Sequence, residues 1–185
     1  MIQGNAKRGF TLIELLVVIA ILAVLAVAVV LVLNPAELLK QGRDTTRISD
    51  LAAINSAIAL YVADVRTPVW STTGYCTAST TFPGGTGSCT LSVVTAVDGT
   101  GWVPVNFGSI SSGSPLARLP LDPSNSGAYY YGYKASSTAG YFEIDAKMES
   151  IKYSTGGSAD VETNSKDGGD NANVYEVGSL LTIIN

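Results

Sequence analysis

The chain has 185 residues, 46% of them hydrophobic, and 11 Lys and Arg against 15 Asp and Glu give it a formal charge of −4. That balance argues against direct nucleic-acid binding, which wants Lys and Arg clustered on one face. With no His and two Cys, the chain lacks the donors of a tetrahedral zinc site and the commonest acid–base residue; with no phosphate loop or nucleophile motif either, it reads as a non-enzyme without metal or cofactor.

Lys7-Arg8-Gly9 gives way to Phe10, and from Phe10 to Leu33 Glu14 is the single charge. A membrane helix needs about 20 mainly apolar residues, so this run is long enough to cross a bilayer. A carboxylate at the bilayer centre costs about 2.5–3.5 kcal/mol on insertion scales, and one a helical turn below the interface costs less. Such a residue marks a functional site and requires a partner. Lys7 and Arg8 keep their end in the cytoplasm by the positive-inside rule, so the chain after the apolar run is delivered to the outer side. A simple signal anchor with a stray Glu is the alternative. The run is too long for a secretory signal core, and no small-residue cleavage site comes after it.

The basic leader Met1 to Gly9 and the stretch Gly9-Phe10-Thr11-Leu12-Ile13-Glu14-Leu15-Leu16-Val17-Val18-Ile19-Ala20-Ile21-Leu22 resemble the type IV pilin family, which includes the pseudopilins of type II secretion. The resemblance implies that a prepilin peptidase cuts between Gly9 and Phe10 and that the new Phe10 amine is methylated. It also implies that Glu14 faces the Phe10 amine of a neighbouring subunit in a helical filament of identical chains. The physics agrees: a buried carboxylate and a buried ammonium are each costly alone and offset one another as a pair. A misregistered subunit leaves both unpaired, so the pair sets the axial stagger. The family fold is α+β, the pilin fold: a long N-terminal hydrophobic helix, the stalk, and a small antiparallel β-sheet head. The segments expected are a leader (1–9), an assembly helix (10–33), an amphipathic continuation (34–66) and a β-rich head (67–185). Partners implied are copies of the chain, the inner membrane, the peptidase, and a pilus or secretion assembly platform whose ATP hydrolysis lies in separate cytoplasmic proteins. The chain is then single-pass in the cytoplasmic membrane before assembly and part of a cell-surface filament afterwards.

Beyond the span, Asn34-Pro35 interrupts the helix as a kink or as a short break, with Asn34 as N-cap of a second helical segment. Ile48, Leu51, Ile54, Ile58, Tyr61 and Val62 then recur at helical spacing, a stripe for packing on a sheet, and the helix is expected to end near Ala63. Arg43, Asp44, Arg47 and Asp50 lie off that stripe, either as contacts between subunits or as a solvated face. Cys76 and Cys89, in a Gly/Ser/Thr-rich stretch, read as one disulfide on the oxidising side of the membrane, free thiols being the alternative.

From Thr67 the composition turns to Gly, Ser, Thr, Pro and Tyr, the punctuation of short strands. Trp102 to Phe107 is a candidate edge strand, given Pro104. Leu119-Pro120-Leu121-Asp122-Pro123-Ser124-Asn125 resembles the turn before the sheet in major pseudopilins; Asp122 and Asn125 are read as turn formers. Tyr129 to Lys134 and Tyr141 to Lys147 form the clearest strand pair, joined by Ala135 to Gly140. In the second strand Phe142, Ile144 and Ala146 form the buried face, and Tyr141, Glu143 and Asp145 the wet one. Tyr129, Tyr130, Tyr131, Tyr133 and Tyr141 suit a half-buried strand surface. Met148 to Tyr153 extends or follows that strand, and Val174 to Ile184 is a last apolar segment. Major pseudopilins bind calcium in a C-terminal loop, and Asp160 to Glu176 offers Asp167, Asp170, Asn171 and Asn173 as oxygen donors. Its spacing is not that of an EF-hand, a solvated loop accounts for it equally, and no metal site is assigned.

The leading function is therefore a structural subunit that polymerises through its N-terminal helix into a type IV pilus. A pseudopilin building a short periplasmic filament for protein export is the alternative. A monomeric membrane-anchored adhesin or receptor would need neither Glu14 nor a free Phe10 amine.

Overall fold

The computed structural model describes residues 9–85, 87–137 and 140–184. The leader before Gly9, with Lys7 and Arg8, lies outside them, as do Thr138 and Ala139 of the expected hairpin loop. The chain divides into two compact units, one ending at Leu38 and one starting at Leu39.

The first unit is built on helix α1, Leu12–Leu33, an uninterrupted run of Leu, Ile, Val and Ala broken in character by Glu14. It belongs to the one helical run among the described residues that is long and apolar enough to cross a membrane. In lipid a helix satisfies every backbone group internally, which outweighs the modest helix propensity of its many β-branched residues. Asn34 ends α1 in the left-handed region (φ 40°), a conformation Asn tolerates better than most residues. Pro35 opens helix α2, Pro35–Asp64, where its missing N–H costs nothing. Of kink and short break, the structure has the break.

In the second unit, α2 lays Leu51, Ile54, Ala57, Ile58 and Tyr61 into a core while Ile48 is half-buried and Val62 exposed. Each buried Leu or Ile side chain contributes about 1.5–3 kcal/mol relative to exposure. They face a five-stranded sheet in the order β2-β1-β3-β4-β5, with β1 at Tyr75–Cys76, β2 at Thr90–Leu91, β3 at Tyr131–Ala135, β4 at Phe142–Ala146 and β5 at Tyr175–Gly178. A short helix α3, Asn164–Asp167, precedes β5. Tyr131, Tyr133 and Ala135 of β3 and Phe142, Ile144 and Ala146 of β4 supply the sheet's half of the core.

The sheet is mixed rather than purely antiparallel. β1 pairs parallel with β2, Cys76 opposite Leu91, while β3, β4 and β5 form the antiparallel ladder. The chain between the two strands is closed by the Cys76–Cys89 disulfide, with the bridge Thr81 to Ser88 inside the loop. Trp102 to Phe107 is no strand. Burial does alternate there, with Val103, Val105 and Phe107 buried, Pro104 half-buried and Asn106 exposed. But Pro104 has no N–H for a ladder, and among the described residues the pairing is limited to one isolated bridge from Asn106 to Asp98. Met148 to Tyr153 is likewise turn and loop.

The largest departure is in β4. Glu143 and Asp145, expected on a wet face, are 0% and 1% exposed. The sheet is covered on both sides: α2 lies on one face, and on the other the Phe82–Pro83 turn fits against Gly132, where an added Cβ would stand 2.7 Å from Pro83 and 2.9 Å from Phe82. The chain end continues onto that face, since the backbone N–H groups of Ile183 and Ile184 reach the Glu143 carboxylate.

Candidate functional site

At the N-terminal end Gly9 is exposed, and Phe10 is 84% exposed. Thr11 is the N-cap of α1, and Glu14 at its third position closes a capping box. The Thr11 N–H and hydroxyl both donate to Glu14 Oε2, at 2.8 and 2.7 Å, and the Glu14 N–H donates to Thr11 Oγ1 at 3.3 Å. Glu14 Oε1 receives no hydrogen bond among the described residues. The carboxylate is therefore held at the first turn, where it also meets the positive end of the helix dipole. Along α1 the described apolar side chains are exposed in the single chain, among them Leu12 at 81% and Leu33 at 56%.

In the second unit, Asp44 and Arg47 are neither subunit-facing nor solvated: both are 0% exposed. Arg47 donates through Nε and Nη2 to the two oxygens of Asp122 at 2.6 and 2.9 Å, and through Nη1 to Asp44 at 2.7 Å. Asp44 also accepts the N–H groups of Glu149 and Ser150, and Arg43 clamps Glu149. Burial opposes the Arg47 charge, but the hydrogen bonds and charges of Asp122 and Asp44 outweigh it and raise its pKa. The Arg43 guanidinium holds Glu149 below the usual carboxylate range. Asp122 is thus more than a turn former. It caps Ser124 and Asn125, with Asn125 at φ 37° as its turn requires, and anchors Arg47 from the helix. Asp50 is half-buried and accepts from Tyr131 Oη at 2.8 Å.

A second polar group occupies the far face of the sheet. Glu143, Asp145 and Glu176 are all buried, and one oxygen of each lies within 4.8 Å of the others. Burial first, and the negative neighbours with it, push Asp145 well above the ordinary carboxylate range and raise Glu143 and Glu176 too. Sequence reasoning missed this constellation because acid–apolar alternation is also the signature of a half-exposed strand. The loop donors it did single out are largely occupied: Asp167 accepts the N–H groups of Gly169 and Glu176, and Asn171 Oδ1 that of Asn173.

Residues 4–30 match the model of the prokaryotic N-terminal methylation motif. That stretch holds Gly9, Phe10, Glu14 and most of α1, so the likeness is one of the N-terminal segment. No curated protein and no solved structure matches the chain. The Cys76–Cys89 disulfide, with the two Cα atoms 5.7 Å apart, fits export to an oxidising compartment.

Proposed function

We propose that the chain is a pilin, cut between Gly9 and Phe10, methylated on the Phe10 amine and polymerised through α1 into a type IV pilus. The observation that carries this reading is the methylation motif on an apolar helix whose first turn holds a lone carboxylate. The leader (1–9) would be removed, 10–33 would anchor the subunit in the cytoplasmic membrane and then line the filament core, 34–66 would continue it, and 67–185 would form the head. The peptidase and an assembly platform are the partners this route needs.

Glu14 supplies the register. Both Thr11 hydrogen bonds fall on Oε2, which leaves Oε1 to accept from the Phe10 ammonium of the next copy. Away from water a charge without a partner is strongly disfavoured, so subunits that miss this pairing are rejected.

The test compares cells expressing the native chain and Glu14→Ala by imaging surface filaments and by mass spectrometry of the sheared fraction. Long filaments of a chain beginning at Phe10, lost in the variant, are expected. A processed chain that stays with the membrane while protein export depends on it would replace the pilus with a secretion pseudopilus. An unprocessed chain indifferent to Glu14→Ala would overturn both.

A further inference from the structure

The sheet domain buries two groups of carboxylates and compensates them differently. Around Arg47, the carboxylates of Asp44, Asp122 and Glu149 all meet a guanidinium. On the opposite face of the sheet nothing comparable exists among the described residues. Asp145 and Glu176 are ladder partners, and Glu143 is two residues from Asp145 on β4, so all three side chains stand on one face. They are 0–2% exposed.

Their existing partners are few. Glu143 Oε2 accepts the N–H groups of Ile183 and Ile184 at 2.6 and 2.9 Å. Glu176 accepts those of Asp170 and Asn171 at 3.3 and 3.0 Å. Glu143 Oε1 and both oxygens of Asp145 are buried and have no hydrogen-bond partner among the described residues. Lys134, directly opposite Glu143 on β3, gives its ammonium to the Ile183 carbonyl at 2.8 Å and lies over the Phe82 ring. No ion pair joins any of the three carboxylates to Lys or Arg among the described residues. Buried carboxylates persist when they are paired, hydrogen-bonded or coordinated to a metal, and the orphaned oxygens of Asp145 converge with those of its neighbours on one place.

We propose that Glu143, Asp145 and Glu176 bind a divalent cation, calcium. The donors are all oxygen, which selects a hard cation. Three carboxylates offer as many as six oxygens, within reach of calcium's preference for six to eight. Magnesium keeps several of its waters and suits a buried site less well. Zinc would want His or thiolate, and the chain has no His while both Cys are in the disulfide. The site is not the acidic loop that the sequence suggested, since Glu176 is that stretch's sole contribution. Bound there, the ion ties β4 to β5 and, through the same carboxylates, fixes the 170–171 loop and the 183–184 segment. This inference stands independently of the filament reading.

The test uses the full chain in detergent micelles, stripped with EDTA and freed of chelator. Thermal unfolding is monitored by the fluorescence of Trp70 and Trp102 against calcium chloride and magnesium chloride, with calorimetric titration for stoichiometry. One calcium per chain is expected, and calcium at about 100 times Kd should raise Tm by about 5–10 °C. Asp145→Asn should fold, because it removes a buried charge, yet lose the calcium response; Asp167→Asn should keep it. Absence of both binding heat and Tm shift at millimolar calcium would overturn the site and leave the carboxyl groups held by shared protons. Retained calcium binding in Asp145→Asn would also overturn it, and so would a preference for magnesium.

Discussion

Replacing Arg47 with Ala removes the guanidinium that joins helix α2 to two distant loops, and the structure bounds the cost. Arg47 is 0% exposed and donates to Asp122, 75 residues away, and to Asp44 one turn back. Breaking a buried ion pair by deleting one partner costs about 3–5 kcal/mol, because the other charge is left uncompensated. Here both stranded carboxylates keep amide donors: Ser124 and Asn125 for Asp122, Glu149 and Ser150 for Asp44. That places the loss nearer the lower figure, about 3 kcal/mol, or a Tm lowered by about 6–12 °C for a chain of this length. The Cζ of Arg47 also lies 5.1 Å from the Tyr129 ring centre, so some of the loss is packing. A double-mutant cycle with Asp122→Ala separates the two contributions, and a coupling energy of about 1–3 kcal/mol is expected. Urea unfolding of the full chain in micelles gives these numbers. If Arg47→Ala costs under about 1 kcal/mol, in the range of an exposed pair, the buried network is not what fastens the loops to the helix.

Three further outcomes are expected. Replacing Cys76 and Cys89 with Ser should destabilise by about 3 kcal/mol through regained loop entropy, read by unfolding with and without reductant. Gly132→Ala should cost about 1–3 kcal/mol from overpacking against Pro83 and Phe82, whereas Gly127→Ala, with open space around its Cβ position, should change stability little. Asp160 is held at about 2, chiefly by the hydroxyl of Thr163, with burial opposing and the N–H groups of Gly156, Thr163 and Glu162 adding to the lowering. A carboxyl depressed in the folded state stabilises above its unfolded value and loses that contribution as pH falls through the folded one. The Tm difference between the native chain and Asp160→Asn should therefore be full at about pH 5, shrink as pH falls through about 2 and vanish by about pH 1; a difference independent of pH would refute the assignment.

Local patterns were legible in the sequence where they reflect one element and its nearest neighbour. The stripe Leu51, Ile54, Ile58 and Tyr61 became the buried face of α2, and the strands expected at Tyr129 to Lys134 and Tyr141 to Lys147 are paired as β3 and β4. What escaped depends on segments far apart in the chain. Arg47 is indistinguishable from a surface arginine until Asp122 arrives, and Glu143 looks wet until the residues around Ile184 cover it. A polar residue on a strand records only that it needs partners, and water is the partner that periodicity assumes. The parallel β1–β2 edge was hidden for a related reason, since two-residue strands carry no period and their partners lie apart in the chain.

In the filament reading, Glu14 meets the same physical demand as Asp145 but in another solvent. The capping box in the single chain commits one carboxylate oxygen to the Thr11 backbone and hydroxyl, which lowers the cost of holding Glu14 in the lipid before assembly. It does not neutralise the charge. An ammonium from a second copy would do so, and its attraction is stronger in lipid than in water because the dielectric is low. Thr11→Ala would remove the hydroxyl donor and the N-cap acceptor of the Glu14 N–H while keeping the backbone donor and the charge, so it should destabilise the unassembled subunit more than the filament. The measurement is the ratio of membrane-held to sheared chain in cells carrying that substitution. Less membrane-held chain with filaments retained is the expected result. Loss of filaments with a normal membrane pool would mean that Thr11 acts in assembly itself.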